Sequence, residues 1–407
     1  MSACFRIIIP TAAFAFIGLH ASPVLAFSWN FCIRYSVHTV DSGVGEDYKV
    51  SSSGFDNWPA SGVKVRVFDP ATHLWGAYTN ANMAGGCFAF TSSANTGFLI
   101  DVQSQHTFPG PISVNISNTY PMITRKSWAI TANPGGSGGT FTYFVPYGDE
   151  ANLGAITSWT VPRINALGGG TIANKFLTVN NLNCSVHEVG CDGSVTAGSD
   201  IFISPDYAHS ERKFLVGHEL GHWLQRQWVT SGSEPFYTYN PVPAEGNAFC
   251  MFSGIGDHGL RSREEATAAW KEGIAHFISA MSWNDHTQAD GKFKYYKNQA
   301  PHTFETVDLD AAGSFAINWH ATQCSPTIAG RAVEQDWLRH YWNYLTDAGL
   351  PTPTVSEIRA QVNNLYSNGG WTATNVYSKL DAALVTAGQV ANQSRWANTA
   401  ATHGANF

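Results

Sequence analysis

The sequence predicts an α+β protein in which an all-β N-terminal part precedes a part that mixes strands and helices. Three observations carry this. "GVKVRVFD" (62–69) alternates Val63, Val65 and Val67 with Lys64 and Arg66, the period-two signature of a half-buried strand. Further short apolar runs, "GCFAF" (86–90), "GFLIDV" (97–102) and "ISVNIS" (112–117), follow between Gly, Asn, Ser and Pro turns. Beyond residue 148 the spacing of apolar residues becomes helical, in "DEANLGAITSWTVPRINAL" (149–167) and then in 210–228, 262–283 and 331–346.

The first 26 residues read as a secretory signal peptide. Arg6 is an early positive charge, an apolar run follows, and Val24 and Ala26 stand three and one residues before the expected cut at Phe27. No other stretch is apolar for long enough to span a bilayer, so the expectation is a secreted protein, extracellular or periplasmic.

Between residues 27 and 147 the short, evenly spaced strands predict a β-sandwich. The run from Gly62 through "AYTNANMAGGCFAF" is loosely similar to transthyretin-like and carboxypeptidase-regulatory-like modules. "NPGGSGG" (133–139) reads as a linker or a long hairpin loop, and "TFTYFVPY" after it as a last strand or the start of the next unit. A chain of 407 residues suggests two domains, and the boundary is placed between 147 and 148. Residues 148–407 then form the second domain. Its first helix starts on Asp149 and Glu150, with Pro162 expected to kink or end it. "KFLTVN" (175–180) and "DIFISP" (200–205) read as strands, and the second as a sheet edge on which an extended peptide can pair.

Composition limits the function classes. Lys and Arg number 23 against 30 Asp and Glu, a net charge of −7, which argues against a nucleic-acid partner. Six of the seven cysteines lie beyond the signal peptide, an even number that favours disulfides in an exported chain. Their distribution suggests Cys32–Cys87, Cys184–Cys191 and Cys250–Cys324; no Cys-x-x-Cys pair supports a thiolate metal site.

The chemistry is concentrated in "KFLVGHELGHWLQRQW". His218 and His222 are four residues apart, so both imidazoles leave one face of a helix toward a Zn²⁺ ion. Glu219, one residue on, is the candidate general base, taking a proton from a metal-activated water and passing it to a leaving amine. Ser210 is the expected N-cap, with Glu211 at the positive end of the helix dipole. Gly217 and Gly221 thin one strip of the helix, which lets another backbone approach.

Two histidines do not complete a zinc site. A third histidine just downstream is excluded, because Trp228 stands where it is needed. Two glutamates are candidates, Glu245 in "AEGNAF" and Glu272 in "KEGIAHF". Glu245 follows Pro241 and Pro243, which disfavour a helix before it. Glu272 belongs to a stronger helix, opened by a Ser262–Glu265 capping box and rich in alanine, and is favoured as the ligand, with Glu245 the alternative. His276, four residues after Glu272, faces the same way and is expected to orient a ligand.

"GHELGHW", "HGLRSREEATAAWKEGIAHF" and "EQDWLRHYWNYLTD" together resemble a group of secreted bacterial zincin-fold metallopeptidases of the glutamate-ligated type, over roughly Phe202 to Thr346. The resemblance implies a zincin-like metallopeptidase domain over 148–407, with the Glu of the "EGxAHF" segment, here Glu272, as third zinc ligand. For the oxyanion that develops during hydrolysis, His258 is the first candidate donor, with Tyr237, Tyr239 and His340 behind it. In the last helical pattern Val333, Trp337, Tyr341 and Tyr344 read as a core stripe. The expectation is an exported zinc endopeptidase acting on a peptide or protein substrate. The rival is a binding or adhesion protein on an inactive scaffold of the same kind, against which the intact Glu219 argues.

Overall fold

The computed structural model describes residues 26–41, 48, 56–110, 112–118, 125–136, 138–168, 175–181, 195–197, 200–204, 206–229, 260, 263–288, 290–296, 304–310, 331–347, 353–372 and 375–405. The signal-peptide residues 1–25 lie outside these, as do Cys184, Cys191, Cys250, Cys324, Tyr237, Tyr239, Glu245, His258 and Ser262.

Strands in the first third are β1 (Phe27–Val37), β2 (Asp56–Pro59), β3 (Val63–Asp69), β4 (Leu74–Trp75), β5 (Thr79–Asn80), β6 (Cys87–Ser92), β7 (Phe98–Phe108), β8 (Ile112–Ser117), β9 (Ser127–Ala132) and β10 (Thr140–Val145). They form two sheets. In the smaller, β1 is central, parallel to β10 on one side and antiparallel to β2 and β6 on the other. In the larger, β7 pairs with β3, β8 and β9. Val63, Val65 and Val67 point inward as their alternation predicts. Between the sheets Trp29 and Phe31 of β1 meet Phe98 of β7, and Tyr35 meets His106 and Trp128. Cys32 and Cys87 are directly opposed across β1 and β6 and form the expected disulfide, closing a loop of 55 residues.

The chain continues through α1 (Asp149–Leu167), β11 (Lys175–Asn181), β12 (Val195–Ala197), β13 (Asp200–Ile203) and α2 (Lys213–Trp228). After these come β14 (Arg263–Glu265), α3 (Ala266–Trp283), β15 (Lys292–Tyr296), β16 (Phe304–Asp308), β17 (Arg331–Val333) and α4 (Glu334–Thr346). Three C-terminal helices, α5 (Val355–Asn368), α6 (Val376–Thr386) and α7 (Gln393–His403), complete the order. The architecture is mixed α+β, as expected. The boundary placed at 147/148, however, does not separate two packed units. β11 pairs in parallel with β8, so the larger sheet runs from β4 to β12 across that boundary, and one hydrophobic cluster contains residues from both sides of it. The physical reason is that β8 has a free side after β7 has paired, and the apolar inner face of β11 extends the same core.

Four local expectations are corrected. α1 runs its full length through Pro162. β13 lies between β11 and β12 and is not an edge. Residues 263–265 do not start a helix at a capping box: they form β14, whose backbone pairs antiparallel with β17, so α3 begins at Ala266 and α4 begins after β17. Ser210 does not cap α2. Its hydroxyl donates to Asp149 Oδ1 at 2.6 Å, and Glu211 is held by His38 at 2.8 Å and by Tyr147. The cap comes instead from Asp41, which accepts from the backbone N–H groups of Lys213 and Phe214 at 3.0 and 2.8 Å.

A candidate metal centre between two helices

α2 and α3 run antiparallel in close contact, and glycine makes the closeness possible. A Cβ on Gly221 would lie 2.7 Å from the backbone oxygen of Ala275, and one on Gly217 would lie 2.6 Å from Ser279 Oγ. Ser279 uses that proximity to donate to the carbonyl of Phe214 at 2.8 Å. On its other side α3 meets α4 through Gly273, where a Cβ would be 2.3 Å from Trp337 Cβ. The thinned strip anticipated on α2 is therefore where the partner helix approaches, and it brings Glu272 to the two histidines.

His218, His222 and Glu272 are all buried, and their ligand-type atoms lie within 4.8 Å of one another. Glu272 Oε2 is 3.0 Å from His218 Nε2 and 2.9 Å from His222 Nε2, and the two Nε2 atoms are 3.1 Å apart. Three donor atoms converging on one point is the arrangement a cation needs. A tetrahedral ion with bonds of about 2.0–2.2 Å places neighbouring ligand atoms roughly 3.3–3.6 Å apart, a few tenths of an ångström beyond these separations. Two imidazole nitrogens and a carboxylate oxygen suit zinc, without excluding other divalent transition ions. Burial pushes the His222 imidazole below its ordinary pKa, opposed by the neighbouring Glu272, which favours the neutral, ligand-competent ring. Among the described residues this is the one such three-ligand group.

Glu219 sits beside the group, 6% exposed, and its charge acts on His222. His276 does reach the site, by a different contact from the expected hydrogen bond to a ligand. Its ring stacks on His218 with centroids 4.1 Å apart, and its Nε2 faces Glu334 Oε2 at 2.9 Å. With Glu334 accepting, the Nε2 carries the proton. Burial holds His276 down to about 4, so it is neutral near pH 7. Glu334, fully buried at the start of α4, was not singled out in the sequence; its only signal there is an acidic residue in a first helical turn.

His340, one of the candidate oxyanion donors, faces elsewhere. Its ring lies 4.1 Å from that of Trp396 on α7 and beside Tyr341 and Tyr344. Val333, Trp337, Tyr341 and Tyr344 are buried in the helical core, as their spacing predicts. His258 and Glu245 fall outside the described residues. No helix of the described residues is long and apolar enough to cross a membrane. Compared with models of known protein families and with curated proteins, the chain matches none.

Proposed function

We propose that the protein is a zinc-dependent endopeptidase in which His218, His222 and Glu272 hold the ion and Glu219 is the general base and then the general acid. The observation that carries this reading is the convergence of His218 Nε2, His222 Nε2 and Glu272 Oε2 within 3.1 Å of one another, with a second buried acid, Glu219, alongside. A divalent ion bound there supplies Lewis acidity toward a carbonyl and lowers the pKa of water. The chain's own residues do the rest. Glu219 is adjacent in sequence to one ligand and three residues from the other, so its carboxylate lies beside the ligand cluster, where it accepts a proton and returns it to a leaving amine. His276, clamped by Glu334, fills the face of the His218 ring and limits its rotation. An exported location agrees with the Cys32–Cys87 disulfide.

The test uses the protein without its first 26 residues. Metal content is measured by elemental analysis, and digestion of a mixed peptide library is compared for wild type and Glu219→Gln. The expected result is one zinc per chain in both proteins, cleavage by wild type, and a rate lower by a factor of about 10²–10⁴ in the variant. Stoichiometric zinc with no cleavage by wild type would show a structural site and end the peptidase reading.

A further inference from the structure

α1 carries an apolar stripe that the core does not fully use. Trp159, Pro162, Ala166 and Leu167 recur at helical spacing, and with Arg163 they form one side of a cavity of about 560 Å³. Trp58 and Pro59 of β2, with Met83 and Ala84 from the turn before β6, also line it. Ala84 and Ala166 are exposed, so the cavity has an open rim. Its size falls within the roughly 300–1,000 Å³ of small-molecule sites.

The polar content of the lining is small and specific. Ser61 and Ser158 line it, yet both hydroxyls are committed, donating to the carbonyls of Met83 and Ala155 at 2.8 and 2.9 Å. Among the described residues of the lining Arg163 is the only charged side chain. Its guanidinium carbon lies 4.0 Å from the centre of the Tyr48 ring, and its Nε donates to the Met281 carbonyl at 3.4 Å. Asp285 lies within its electrostatic reach, but Asp285 Oδ1 is occupied by the backbone N–H and hydroxyl of Thr287. Among the described residues Arg163 makes no ion pair, so its remaining donors are available to a ligand. The aromatic walls are themselves fixed: Trp159 Nε1 donates to the Ser282 carbonyl at 2.5 Å, and Trp58 packs edge-on against Trp159 and at a tilt against Trp283.

We propose that this cavity binds an amphipathic carboxylate, an apolar alkyl or aryl body lying against Trp58, Met83 and Trp159 with its acid group paired to Arg163. The apolar walls take the body, and a preorganised cation selects a single negative end. The proposal is independent of the metal centre.

Isothermal titration with decanoate and, separately, the neutral decanol tests it. Wild type is expected to bind decanoate at least tenfold more tightly than decanol. Arg163→Gln should lower decanoate affinity to that for decanol and leave decanol binding unchanged. Ala166→Trp, which fills the rim, should abolish both. Absence of decanoate binding to wild type, or equal affinity for the acid and the alcohol, overturns the proposal. The wild-type comparison decides even where a variant fails to fold.

Discussion

Asp41 caps a helix that begins 172 residues further along the chain: its Oδ1 accepts from Lys213 N and its Oδ2 from Phe214 N. The helix so capped carries His218, Glu219 and His222, and its own N-cap residue, Arg212, offers no side-chain cap. The segment leaving β1 is thus part of the support of the candidate metal centre. Asp41→Ala is expected to cost about 1–3 kcal/mol, because two helix N–H groups lose their acceptor in a buried place. Denaturant unfolding measures the loss, and zinc titration should show weaker binding. Unchanged stability would mean that water caps the helix equally well.

Close helix approach is predicted to be as important to the site as the ligands. Gly221→Ala places a methyl 2.7 Å from Ala275 O and 3.0 Å from Ala275 Cα, which are backbone atoms that cannot swing aside. α3 must shift, and Glu272 with it. The expected cost is about 1–3 kcal/mol, with reduced zinc affinity. Gly76→Ala, where the nearest atom is Val67 O at 3.5 Å, is the control and should stay within about 0.5 kcal/mol of wild type.

Metal removal should be read through stability. Chelation is expected to lower the melting temperature and added zinc to restore it. At free zinc a thousandfold above Kd the stabilisation is about 4 kcal/mol. Glu272→Ala should abolish the restoration while Glu245→Ala keeps it. The opposite pattern would assign the third ligand to Glu245.

His106 predicts a pH dependence outside the candidate metal centre. Its Nδ1 donates to Ser61 O at 2.9 Å, its Nε2 accepts from the Tyr35 hydroxyl at 3.0 Å, and burial pushes its pKa from 6.5 down to about 4. A folded-state pKa below the unfolded one means that the unfolded chain takes up the proton first as pH falls. The stability this group contributes is therefore fully present above about 6.5, is lost as pH falls toward 4, and changes no further below that. The span corresponds to about 3 kcal/mol. Unfolding free energies measured across this range should have a smaller slope in His106→Asn than in wild type.

The sequence alone determined the features that are local. Alternation marked β3, a four-residue interval put His218 and His222 on one helical face, and Gly217 and Gly221 announced a close neighbour without naming it. Helical spacing located α1, α2 and α4, because periodicity reports which side of an element is buried. β1 was not legible in this way, although it is the central strand of the smaller sheet. It is paired on both sides, and its partners come from residues 56–59, 87–92 and 140–145.

Tertiary structure decided everything that depends on which distant segments meet. Glu334 became the partner of His276 and Asp41 the cap of α2 because folding brought them there, over separations of 58 and about 170 residues. β11 joined β8 and carried one sheet across the expected domain boundary for the same reason. Short-range spacing encodes the face of an element. The identity of what covers that face is set by packing, where a buried N–H or carboxylate takes whichever partner the completed core brings within about 3 Å.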